Sequence, residues 1–101
     1  MATSITVRIN GQERAGVDEG WIGQTISAFK RAGEPVCVQM HIDQPTARLG
    51  LSMGRCPSVP GRPAQGAEVE LIRAWNECIG TGTVEPGRAI SCIKRLERMV
   101  S

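Results

Sequence analysis

Aromatic residues are scarce in this chain of 101 residues: Trp21, Phe29 and Trp75 are the only three, and tyrosine is absent. Platforms that stack single-stranded nucleic acid need several aromatic side chains, so that class loses its main support. A dominant charge is lacking too. Twelve Lys and Arg stand against ten Asp and Glu, a net charge of +2, too small by itself to imply a polyanionic partner. No stretch approaches the roughly 20 apolar residues of a membrane span. The opening MATSITVRING has neither the basic nor the long apolar region of a secretion signal. The four cysteines, Cys37, Cys56, Cys78 and Cys92, form no CxxC pair. The expectation is a cytoplasmic protein whose thiols are reduced and packed as small apolar groups.

Catalytic motifs in their usual setting are missing as well. There is a single histidine, His41, and no GxGxxG, GxxxxGK[ST] or HExxH pattern, so nucleotide-binding and metalloprotease readings lose their usual support. Gly50-Leu51-Ser52-Met53-Gly54 spells GxSxG, yet within an alternating strand and not at the strand-to-helix turn that a hydrolase nucleophile needs. Cys37 and His41, four residues apart on a strand, stand about 13 Å apart, too far to share a tetrahedral zinc at about 2 Å. Ser52, His41 and Asp43 are the residue types of a hydrolytic triad. They would lie flat on an open sheet, with neither a strained turn nor oxyanion donors. No catalytic residue, cofactor or metal is therefore assigned.

What the chain does contain is an ordinary globular balance, 41% apolar and 22% charged, at a length that suits one domain, residues 1–101. Its organising stretch is residues 36–54. Val36, Val38, Met40 and Ile42 fall on alternate positions, as do Leu49, Leu51 and Met53. Successive strand side chains point to opposite faces, so each set shares one face. Asp43-Gln44-Pro45-Thr46 supplies turn chemistry between them. A two- or four-residue loop puts both apolar sets on the same face, leaving open whether Asp43 lies opposite Thr46 or Arg48. The other face then carries Cys37, Gln39, His41, Asp43, Arg48, Gly50 and Ser52.

An earlier hairpin is predicted around Asn10-Gly11, a turn that wants positive φ at both central positions. Ile5, Val7 and Ile9 alternate before it, and residues 12–17 return as a short edge. A first helix is predicted over residues 21–32, capped by Asp18 and closed by Gly33 and Pro35. Residues 54–66 form a loop rich in proline and glycine, with arginines but no acid. A second helix is predicted over Ala67–Ile79 and a third over Pro86–Val100, with proline at its first position. Their short connection makes them antiparallel neighbours, which would bring Cys78 nearest to Cys92. The fold class is α+β: a small antiparallel sheet of two β-hairpins with three helices packed mainly on one face. The predicted core holds Ile5, Val7, Ile22, Ile26, Phe29, Val38, Met40, Leu49, Leu51, Ile72, Trp75, Ile93 and Leu96.

The opening ITVRINGQERAGVDEG and its following helix resemble the first hairpin and helix of ubiquitin-like sulfur-carrier proteins. The resemblance covers about the first third of the chain. It implies a hairpin packed on a helix there. It does not imply sulfur carriage, because the chain ends RMVS without the Gly-Gly that those carriers use.

Function is expected to be binding rather than catalysis. The polar hairpin face lacks Lys, Glu and Thr, the ordinary occupants of a wet sheet face, and offers instead an imidazole, a guanidinium and a glycine gap. Gln39, His41, Arg48 and Ser52 are the candidate contacts to a protein partner, engaged through this face or an open strand edge. The alternative is phosphate or nucleic acid on the last helix, where Arg88, Lys94, Arg95 and Arg98 fall within about 120° of one another. An enzyme of unknown class ranks third. No membrane partner is expected, and a homodimer is compatible with the pattern.

Overall fold

Two hairpins supply the sheet, joined by a helix that passes over one of its faces. In the computed structural model, which describes residues 3–45, 48–58 and 61–101, the order is β1 (Ser4–Ile9), β2 (Gln12–Ala15), α1 (Glu19–Arg31), β3 (Cys37–Asp43), β4 (Arg48–Gly54), α2 (Ala67–Ile79) and α3 (Pro86–Val100). The strands form one antiparallel sheet in the order β2-β1-β3-β4. This is the α+β architecture expected from the pattern, down to the bounds of the last two helices.

The first turn takes the conformation that its residues favour, with Asn10 at φ 47° and Gly11 at φ 88°, so Ile9 faces Gln12 and Thr6 faces Ala15. Asn10 also joins the hairpins. Its side chain accepts from the Cys37 N–H at 2.8 Å and donates to the Pro35 carbonyl at 3.0 Å. β1 lies against β3 from Ser4↔Asp43 to Ile9↔Val38. In the second hairpin Asp43 faces Arg48, which settles the register left open above; Thr46, in its predicted turn, lies outside the described residues. Val38, Met40 and Ile42 thus share a face with Met53, Leu51 and Leu49, as the alternation requires.

That face is covered by helices. α1 begins two residues earlier than predicted, because Asp18 caps it by accepting from the Trp21 N–H at 3.1 Å. This bond, with the Arg14 guanidinium, holds the Asp18 carboxyl below its usual range. α3 lies between α1 and α2, and α2 also contacts β4. Ile22 and Ile26 of α1, Trp75 of α2, and Ile93 and Leu96 of α3 are buried against Val7, Val38, Met40 and Leu51. Four predicted core residues, Ile5, Phe29, Leu49 and Ile72, are only partly buried and pack on its margin. Ile5 and Leu49 flank buried Ile42 in the outermost described row of the face, where strands extend to the limit of the helical cover.

α2 does more than cover the core, because it seals the outer edge of β4. The Trp75 indole N–H donates to the Ser52 carbonyl at 2.9 Å. Seven residues earlier, buried Glu68 accepts from the Arg48 N–H at 3.1 Å. Arg62 binds the same carboxylate through both terminal nitrogens, at 2.8 and 2.6 Å, and donates to the Arg48 carbonyl. Chiefly through Arg62, then the Gln65 and Arg48 backbone amides, and against the effect of burial, the Glu68 pKa falls from 4.5 to about 2.

The expectation of reduced thiols is overturned. Cys37 is bonded to Cys56 and Cys78 to Cys92, with Cα atoms 4.9 and 5.7 Å apart. Of the two pairs, the sequence pointed only to the nearness of Cys78 and Cys92. β3–β4 pairing sets Cys37 opposite Gly54, two residues before Cys56, and antiparallel packing of α2 on α3 aligns the second pair. Disulfides persist in oxidising compartments, so the cytoplasmic expectation loses the argument from thiols that supported it. Among the described residues, no helix is long and apolar enough to cross a membrane.

Candidate functional site: the polar face of the sheet

With all three helices on one side, the opposite face of the sheet presents its side chains in rows. Glu13, Arg8, Gln39 and Ser52 form one row, running from β2 to β4. Ala15, Thr6, His41 and Gly50 form the next, and Ser4, Asp43 and Arg48 the one beyond. The four predicted partner contacts therefore do share one surface: Gln39 faces Ser52 directly, His41 sits in the adjacent row, and Arg48 ends the third. Gln39 is half-buried, while His41, Arg48 and Ser52 are exposed.

Gly50 shapes the middle of this surface. A Cβ built there would stand 3.4 Å from His41 Nδ1 and 3.5 Å from Cε1, so the imidazole lies over the glycine. The cross-strand partner of His41 is thus Gly50, and Ser52 is paired with Gln39 instead. Arg48 is held by Asp43 at 3.0 Å, with both side chains more than half exposed. Such a pair contributes little to stability, and its guanidinium keeps free edges for a partner. Arg8, one strand over, was not among the predicted contacts. The signal that could have found it is the β1–β3 register, which two separate alternating runs do not encode.

The second set of candidates lies on α3, where two of the four have acidic neighbours that sequence spacing cannot reveal. Lys94 lies 3.4 Å from Glu19 of α1, and Arg95 lies 3.9 Å from Glu77 of α2. These two cations therefore lean to opposite sides of the helix. Arg88 donates to the Ile79 carbonyl at 3.4 Å, at the far end of α3 from Arg98. As for metal binding, all four cysteine sulfurs are in disulfides, and no group of three His, Cys, Asp or Glu among the described residues could hold an ion.

No family model, curated protein or solved structure matches the chain at a significant level.

Proposed function

We propose that this chain is a non-enzymatic binding module that engages a protein partner through the polar face of its sheet, in an oxidising compartment. The observation that carries the reading is the one-sided packing: three helices cover the apolar face, and Gln39, His41, Arg48 and Ser52 are left side by side on the other. These groups stand on a hydrogen-bonded ladder, and a rigid ladder presents contacts at little ordering cost. The face is favoured over addition of a strand at β4, because Glu68, Arg62 and Trp75 already occupy backbone groups along that edge. The compartment is argued from the two disulfides, since cytosolic thiols are normally kept reduced. The phosphate alternative is weakened by the carboxylates beside Lys94 and Arg95.

The test is capture of partners from the native cell, in the absence of reductant, on immobilised wild type and on His41→Ala/Arg48→Ala. A partner retained by wild type and by an Arg95→Glu/Arg98→Glu control, yet lost by the His41/Arg48 variant, is the expected result. Equal capture by the His41/Arg48 variant would reduce the face to a solvated surface. Capture by wild type that collapses by several decades between low and moderate salt, and that is lost on the α3 control but kept by the His41/Arg48 variant, would return the phosphate reading.

A further inference from the structure

At the end of the sheet where β3 begins and β4 finishes lies a cavity of about 710 Å³, within the size range of small-ligand sites. Its walls come from the connection between α1 and β3, the end of β4, and the turn between α2 and α3. Val36, Met53 and Val84 line it as buried apolar surface, with Ile79 half-buried beside them. The charged lining residues are Lys30, Glu34 and Arg55. Lys30 is already engaged, by Glu85 at 2.9 Å and by the Val84 carbonyl at 3.0 Å. Glu34 and Arg55 are different. Both are exposed, and among the described residues neither has an ion-pair partner, including each other.

An apolar hollow with one free anion and one free cation complements a ligand with the same three features reversed. We propose that this cavity is a second binding site, for a zwitterion of the amino-acid or short-peptide class with an apolar side chain. The ligand's ammonium faces Glu34, its carboxylate faces Arg55, and its side chain lies on Val36, Met53 and Val84. The backbone of β4 suits a peptide. The Arg55 N–H bonds the Val36 carbonyl at 2.9 Å, so by strand alternation the Gly54 N–H and C=O point away from β3 and remain on its outer side. The walls are also braced in advance. Cys37–Cys56 joins the residues adjoining Val36 and Arg55, and Cys78–Cys92 anchors the residue preceding Ile79. A site held open by covalent links loses less entropy on binding.

The probe is the tripeptide Ala-Leu-Ala, titrated calorimetrically into the oxidised full chain as the free, N-acetylated and C-amidated forms. The free form is expected to bind, and each blocked form to bind about tenfold or more weakly, as loss of a charged hydrogen bond implies. Glu34→Gln should weaken the free peptide and erase the difference that acetylation makes; Arg55→Gln should do the same for amidation. Backbone amide resonances of Gly33, Gly54 and Gly82 should shift on addition of the free peptide. Absence of binding at millimolar peptide, equal binding of the blocked forms, or shifts confined to the opposite sheet face would each overturn the proposal. If either variant fails to fold, the three peptide forms on wild type still decide it.

Discussion

Single residues in this protein divide by what their removal leaves behind. Leu51 is 5% exposed in the centre of the β3–β4 face. Leu51→Ala is expected to cost on the order of 2–5 kcal/mol by urea denaturation, through lost burial and an unfilled cavity; a smaller loss would show that the site collapses onto the gap. Gly54 illustrates a different constraint. It has φ 88°, and a Cβ there would run into the Val36 carbonyl oxygen and come within 2.6 Å of Val84 Cγ2. Backbone and connector are thus both in the way, and Gly54→Ala is expected to destabilise by at least the roughly 1–3 kcal/mol of a residue held in a sparsely populated conformation. Gly50→Ala meets only the edge of an exposed imidazole at 3.4 Å, which can give by a few tenths of an ångström, so its melting temperature should stay near wild type. The alternation of Leu51 with its neighbours was visible in the sequence. The collision at Gly54 was not, because Val84 approaches from 30 positions away.

At the scale of elements, the notable junction is between α2 and the edge of β4. An unpaired strand edge invites association, and here side chains of a helix and of the preceding loop take its backbone groups. Glu68 is the hub, and its depressed pKa makes the junction sensitive to acid. Because the folded value lies below the unfolded one, the stabilisation is complete above about 4.5 and is lost as pH falls toward about 2. Urea midpoints of wild type should therefore decline through that window more steeply than those of Glu68→Gln, which should be less stable than wild type at neutral pH. Parallel declines would mean that the carboxylate is not held as described. Trp75→Phe keeps most of the burial but removes the bond to Ser52, for an expected cost of roughly 0.5–1.5 kcal/mol or somewhat more if the carbonyl is left dry. Helix α2 itself was readable from its apolar spacing and closing glycine. That Glu68, a charged residue in a first turn, would be buried at 3% exposure was not, since propensity and dipole arguments place it in solvent.

At the scale of the whole molecule, two covalent links tie the layers together. Non-reducing mass spectrometry of protein from its native compartment should find a mass about 4 Da below the fully reduced chain, two hydrogens per bond. Reduction should lower stability by roughly 2–4 kcal/mol for each link, given closed loops of this general size. A full-mass native protein would remove the argument for an oxidising compartment. His41→Ala/Arg48→Ala should leave stability within about 0.5 kcal/mol per site while abolishing partner capture; a large drop in melting temperature would show that a subunit or another chain covers the face. Local patterns in the sequence determined much of this protein: strand alternation, the Asn10-Gly11 turn, the Asp18 cap and the proline and glycine limits of the helices all act over a few residues, where backbone sterics and side-chain periodicity are decisive. Tertiary structure alone decided the rest. Which strand lies beside β1, how Cys37 meets Cys56, which carboxylates lie beside Lys94 and Arg95, and where Glu34 and Arg55 flank a cavity all depend on how elements pack. Such contacts join residues far apart in the chain, and a periodicity read along one segment holds no information about the segment that will face it.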